Sequence, residues 1–273
     1  MPRPIWKGTL SFGLVSIPVT LHSGETSFDL HFRLMDSRNK AAVRYERVNE
    51  ATGEEVPWNA VVKGYEYAKN NYVLLTPEDF KHANVAAVET IEIQDFVSRD
   101  EMQFIYFQKP YYVVPQKKTD KGYVLLREIL RDTKKVGIAH VVVRTRQYIA
   151  AVFPCCDALV VDLLRYRQEV KDPSEFDLPT ENLKAYKISP REMDMANQLI
   201  NSMTTEWKPE KYHDEYRDSL MKWIQKKVKA HGAAPATEEE PEKKTDGKNV
   251  DMLELLKRSI RNGHNGVHKA ASR

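Results

Sequence analysis

Ile5-Trp6-Lys7-Gly8-Thr9-Leu10-Ser11-Phe12-Gly13-Leu14-Val15-Ser16-Ile17-Pro18-Val19-Thr20-Leu21 is the stretch on which the fold turns. From Thr9 to Leu21 it is rich in Val, Ile, Leu and Phe. Ile17, Val19 and Leu21 alternate onto one face, the period-two pattern of a half-buried strand. Pro18 has no N–H to give to a sheet ladder, so within this run it points to an edge or a bulge. Similar runs recur downstream at Val43–Val48, Tyr72–Leu75, Ala87–Ile93, Gln103–Phe107, Tyr111–Val114, Ala139–Phe153 and Ala158–Leu164. Many short β segments with short connections predict a barrel or sandwich, not alternating βαβ units. Two short helices interrupt them. Thr76-Pro77-Glu78-Asp79 reads as an N-cap with Pro at the first helical position, and 121–132 carries Leu125, Leu126, Ile129 and Leu130 at helical spacing.

The second part of the chain is helical. Ser189-Pro190-Arg191-Glu192 matches a capping box, followed by an apolar stripe of Ala196, Leu199, Ile200 and Met203. After Pro209 a second stripe, Tyr216, Leu220, Trp223, Ile224 and Val228, ends near Gly232. Residues 233–248 contain no bulky apolar side chain and predict a disordered tether. Beyond it Asn249 is placed to cap a last short helix with Leu253, Leu256 and Ile260 on one side. So short a helix needs a surface to dock on. No repeat of fixed period is visible along the chain.

Composition narrows the function. There are 42 Lys and Arg against 39 Asp and Glu in 273 residues, a net charge of +3, so any nucleic-acid site has to come from local clustering. The only two cysteines, Cys155 and Cys156, are neighbours, which excludes a disulfide framework and predicts a reducing, cytoplasmic setting. No apolar run approaches the length of a membrane span. Among enzyme signatures there is no P-loop, GxGxxG, GxSxG, HExxH or CxxC. Glu169-Val170-Lys171 after Asp162 echoes the end of some metal-dependent nuclease sites. In a chain that is 30% charged it reads as a surface loop. His264 and His268 have metal-like spacing but no carboxylate partner, so neither a metal nor a cofactor is expected.

Local basicity says more. From Lys117 to Arg146 nine Lys and Arg face three acids, and Arg144 and Arg146 lie two apart in a strand. Arg33, Arg38, Lys40, Arg44, Arg47 and Lys63 form a second cluster between turn-like segments. Two basic surfaces on a β-rich body suit a track for phosphates, where Lys and Arg displace condensed counterions. Neither cluster has helix-turn-helix, zinc-finger or RNA-recognition aromatic features, so base-specific reading is not indicated. The aromatics Tyr106, Phe107, Tyr111, Tyr112, Tyr123 and Tyr148 read as core or cross-strand pairs.

Ile5–Val19 closely resembles the opening of bacterial Ku proteins, with their IWxGxxSFGLVxxPV signature. Further stretches resemble the family in the same order. They are Val61–Tyr67, Tyr72–Thr76 (YVLLT), Ile91–Phe96, Tyr111–Val114, Tyr123–Leu130 (YVLLREIL) and Met203–Tyr216 (MTTEWKPEKYHDEY). The resemblance extends to about residue 231 and returns at 250–260.

It implies a mainly β fold with α, in which a β-barrel core carries an extended DNA-encircling bridge, and a helical C-terminal arm follows. On this reading residues 1–188 are the core with its bridge at about 31–63, and 189–231 are the arm for dimerisation and partner docking. Residues 232–248 are a linker, and 249–273 a short helix with a basic tail. The implied function is sequence-independent binding of double-stranded DNA ends by a homodimeric ring in non-homologous end joining, with recruitment of the ATP-dependent DNA ligase D. The setting would be the cytoplasm, at breaks in the nucleoid. Arg33, Arg38, Lys40, Arg44, Arg47 and Lys63 would lie near the bore, and Lys117, Lys118, Lys121, Arg144 and Arg146 would line a cradle. No catalytic residue is implied. Two alternatives stay open: a weak lyase at abasic ends, working through a lysine Schiff base, and an interaction scaffold that does not touch DNA.

Overall fold

The structure is a computed structural model that describes residues 3–83, 89–117, 121–143, 146–230 and 252–266. It forms two compact units, one ending at Phe176 and the other beginning at Asp177. The strands are β1 (Trp6–Phe12), β2 (Val15–Ser23), β3 (Lys63–Ala68), β4 (Asn71–Leu75), β5 (Thr90–Ser98), β6 (Phe107–Pro115), β7 (Lys135–Val143), β8 (Arg146–Cys155) and β9 (Ala158–Leu164). The helices are α1 (Pro77–Ala83), α2 (Lys121–Thr133), α3 (Pro190–Met203), α4 (Glu215–Lys229) and α5 (Met252–Gly266). Seven strands close a barrel in the order β1-β2-β6-β9-β8-β7-β5, with β3 and β4 as a separate ribbon. The expected mainly β architecture with a barrel core is therefore the observed one. No helix among the described residues is long and apolar enough to cross a membrane.

Every pairing in the barrel is antiparallel except β1 with β5, which closes it. Alternation sorts the side chains. Leu10, Ile17, Val19, Leu21, Ile91, Tyr111, Val113, Val141, Val152, Leu159 and Val161 fill the interior. At one end α2 acts as a plug, burying Tyr123, Leu126 and Leu130. The Tyr123 hydroxyl donates to the Val113 carbonyl at 2.9 Å and accepts the Leu159 N–H at 2.8 Å, tying the plug to β6 and β9. Desolvation pushes the pKa of this buried phenol up. Arg127 and Arg131 reach from α2 to the carbonyls of Asp157 and Cys156, bracing the β8–β9 turn where Cys156 has a φ of 52°. Both cysteines are free and exposed.

Several local expectations change. Pro18 lies in an unbroken register, opposite Thr9 of β1, so it marks neither an edge nor a bulge. Its missing N–H falls where the β2–β6 ladder stops, with only its carbonyl engaged, by Gln116 N–H at 2.9 Å. Phe104–Tyr106 forms a 3-10 turn in place of the first part of the strand expected at Gln103–Phe107. The Ala139–Phe153 run divides into β7 and β8, and the strand expected from Ala87 is described from Thr90 and continues to Ser98. Residues 233–248, Asn249 and His268 lie outside the described residues.

On the outer side of the barrel Val136, Ala151 and Leu164 form a second cluster, packed under Met102, Tyr106 and Phe107. Beside it is Asp162, a carboxylate only 7% exposed. One of its oxygens accepts the N–H groups of Gln108 (3.1 Å) and Lys109 (3.0 Å), where β6 bulges against β9. Two donors freed by the bulge are thus satisfied by one acid. Desolvation nevertheless dominates and holds the Asp162 pKa above its ordinary value. A raised folded-state pKa means the ionised acid weakens the fold at neutral pH. That cost is relieved as pH falls through the raised value towards the ordinary one. Asp162→Asn keeps an acceptor oxygen, so we expect it to melt at or above the wild-type temperature at pH 7, with the gap narrowing at pH 4.5. Paired thermal melts check this, and a gap that widens in acid would contradict it.

The second unit carries the remaining helices. Ser189 and Glu192 form the expected capping box, with the Ser189 hydroxyl accepting the Glu192 N–H and the Glu192 carboxylate accepting the Ser189 N–H. Asp214 caps α4 by accepting the Arg217 N–H at 2.9 Å. The helix expected near the C-terminus is α5, and it packs against α3. No side chain of α3 or α4 is fully buried, and Ile200, Met203, Tyr216 and Val228 are exposed.

Candidate nucleic-acid interface

Because β5 runs parallel to β1, no hairpin can join it to the first pair of strands. Residues 24–89 instead leave the barrel after β2 and return to begin β5 at the same end, two strands away. At the exit Gly24 N–H donates to Pro110 O at 3.0 Å, and Glu25 pairs with Lys109 at 2.7 Å. This excursion is a handle held at both ends.

Within it are two hairpins with one backbone design. Asp36 and Asn49 begin them, and their side chains accept the N–H groups of Arg38 and Ala51, both at 2.9 Å. Lys40 N–H donates to Asp36 O and Gly53 N–H to Asn49 O, and these two residues take positive φ of 60° and 73°. Isolated bridges Met35–Ala42 and Val48–Glu55 complete the pair. Every equivalent position is 13 residues apart, a repeat that shares shape but little sequence. Val43–Val48, expected as a strand, is the link between the two hairpins, because its backbone groups are spent on two different turns.

The two hairpins differ in charge. Residues 31–44 hold Arg33, Arg38, Lys40 and Arg44 against Asp36 alone, whereas 45–56 hold Arg47 against Glu46, Glu50, Glu54 and Glu55. The basic cluster read along the sequence is therefore concentrated in the first hairpin. Two of its cations are already compensated. Arg38 forks onto both oxygens of Asp36 (2.7 Å at the shortest), which holds that carboxyl below its usual range, and Arg44 pairs with Glu46 at 2.5 Å. Both arginine side chains remain 86% exposed. Arg47 lies over the Trp58 ring and donates to Val56 O, and Lys63 lies over Phe80. Among the described residues no ion pair engages Arg33, Lys40, Lys117 or Lys121.

The second cluster is divided by the barrel. Lys117 and Lys121 flank the N-terminus of α2 at the plugged end, with no acid in that helix's first turn. Arg146 begins β8 at the opposite end, the end from which the handle springs, about 30 Å away at 3.3 Å per residue. Arg146 pairs with Glu169 at 2.7 Å and lies over Tyr148; the carboxylate partner pushes the guanidinium pKa up. Lys118 and Arg144 lie outside the described residues. Arg127 and Arg131, which swelled the cluster in sequence, are engaged with turn carbonyls and Glu128.

The nuclease-like triplet comes apart. Asp162 serves the β6 bulge, Glu169 pairs with Arg146 and caps a 3-10 turn, and Lys171 lies over Phe176. No group of three or more metal-binding side chains occurs among the described residues. Sequence reading missed the 13-residue hairpin repeat and its charge reversal. The visible signal was the pair Asp36 and Asn49, two turn-starting side chains 13 residues apart.

Comparison with known proteins now bears on the same features. Residues 11–195 match the family model described as the Ku70/Ku80 beta-barrel domain, a span that contains the whole handle and nearly the whole barrel. Curated proteins similar to this chain include the non-homologous end joining protein Ku of Coxiella burnetii, 50% identical over 94% of each chain. The protein of the same name from Opitutus terrae is 43% identical over 98% of this chain and 94% of its own. That of Archaeoglobus fulgidus is 37% identical over 83% and 88%. A closed seven-stranded barrel with a doubly anchored handle, a family match over most of that barrel and relatives aligned along nearly their full length converge on one conclusion: the chain belongs to the Ku family.

Proposed function

We propose that the protein binds the ends of broken double-stranded DNA as a homodimeric ring during non-homologous end joining, and brings an ATP-dependent DNA ligase D to them. The carrying observation is the handle fixed to the barrel at both ends, with Arg33 and Lys40 on its basic hairpin free of carboxylate partners among the described residues. A handle of this kind closes around a duplex without reading bases, since topology supplies end specificity and cations supply affinity. Arg38, Arg44, Arg47 and Lys63 line the same track. In this reading Lys117, Lys118, Lys121, Arg144 and Arg146 steady the duplex from the barrel. The exposed apolar residues of α3 and α4 support a role for the second unit in arm exchange and ligase docking. The protein would act at breaks in the nucleoid and use no cofactor.

A ring must thread from an end. We expect salt-sensitive binding to a linear duplex and at least tenfold weaker binding to the same sequence as a closed circle, read by competition against a labelled linear probe. Equal competition by circle and linear DNA at matched salt overturns the ring.

A further inference from the structure

β1 ends at Phe12, opposite Ile93, but β5 runs on to Ser98. Gln94–Ser98 therefore has β7 on one side and, among the described residues, no strand on the other. Beside this stretch is a groove of about 530 Å³ between the strands and α2. Phe12 and Phe96 form its sheet wall, Leu125 and Ile129 its helix wall, and Thr133 and Lys135 are the polar side chains that line it. Phe96 is 44% exposed, Leu125 52% and Ile129 50%. Leu125 and Ile129 are one turn apart on the same helical face. Two features thus coincide: a strand edge with main-chain groups left to pair, and an apolar trough beside it.

We infer that this groove binds an extended peptide segment of a partner protein, which adds as a strand to the free edge of β5. Its apolar side chains, at alternate positions, sit between Phe96 and the Leu125–Ile129 face, and a carboxylate lies beside Lys135. An open edge specifies an extended occupant, because only an extended chain can offer its N–H and C=O groups in register. The trough specifies the period, since every second side chain of a strand faces the same way. Lys135 specifies the charge, being the one charged side chain among the described residues that lines the groove. This surface shares no residue with the basic hairpin, so the inference does not depend on DNA binding.

The test pans a random decapeptide display library against the full-length protein and against the Leu125→Glu/Ile129→Glu double variant. Both changes are at exposed positions, so an unchanged melting temperature is expected. The wild type should enrich peptides with apolar residues at every second position next to Asp or Glu, and the double variant should not. A synthetic copy of the commonest enriched peptide, N-methylated at alternate amides, should bind the wild-type protein at least tenfold more weakly in one methylation register. Lys135→Glu should weaken the unmethylated peptide at least threefold. The inference fails if the wild type enriches nothing, if the variant enriches the same peptides, or if N-methylation in both registers leaves binding unchanged. It also fails if light scattering shows that the double variant alters the protein's mass in solution, since the groove is then a contact between copies of this chain. If the double variant melts early, the N-methylation and Lys135→Glu arms decide alone.

Discussion

Reversing Arg33 and Lys40 to glutamate is expected to weaken binding to linear duplex about a hundredfold at moderate salt. The plot of log affinity against log salt should flatten by about 0.9 for each phosphate contact removed, so by nearly 2 for the pair. These two cations are singled out because nothing in the hairpin compensates them. Arg38, forked onto Asp36, and Arg44, on Glu46, already spend part of their field internally. Arg38→Gln should therefore cost less than either reversal, and its salt slope should change by less than one. Anisotropy titrations on a blunt-ended hairpin duplex at several salt concentrations separate the cases. If the double reversal changes neither affinity nor slope, the first hairpin is not part of the interface.

The largest stability effect is expected at Gly8. A Cβ built there lies 2.1 Å from the Glu89 carbonyl oxygen and 2.5 Å from the Trp6 ring, and the oxygen belongs to backbone that cannot swing aside. That same oxygen accepts the Thr9 N–H at 2.8 Å at the start of the one parallel pairing in the barrel. Gly8→Ala must push β1 away from β5, losing ladder bonds as well as packing, for about 3 kcal/mol in all. For a unit of this size that lowers the melting temperature by roughly 6–12 °C. Gly24→Ala is the comparison, because its Cβ would approach Pro110 O only to 3.0 Å, a smaller displacement with a smaller shift. A Gly8→Ala protein that melts with the wild type would mean that closure of the barrel is not held at this point.

The barrel was legible because alternation is a strong local signal. Ile17, Val19 and Leu21 face inward as their spacing requires, and Ala158–Leu164 is β9 residue for residue. α2 was equally plain from Leu126 and Leu130. Closure was not legible: the β1–β5 pairing joins residues 81 positions apart, Thr9 to Thr90, and no local pattern encodes it. Pro18 misled for a related reason, since whether a missing N–H matters depends on where a neighbouring ladder ends. At the candidate site, charge could be counted along the chain but its pairing could not. Arg127 and Arg131 look the same as Lys117 and Lys121 in sequence. Only the fold shows two of them bracing a turn and the other two turned to solvent at a helix start.

The twin hairpins have a consequence for how the handle can vary. Their path is set by a handful of backbone-directed features, an Asp or Asn at the first corner and a left-handed residue at the last. Their charge is carried mainly by side chains that take no part in that path. Grip is therefore adjustable independently of shape, as with interchangeable tips on one tool. Exchanging Glu50 and Glu54 for lysines would reverse the sign of the second tip's charge without rerouting the chain. A lineage could tighten or loosen that grip in single steps, and the path of the handle would stay the same.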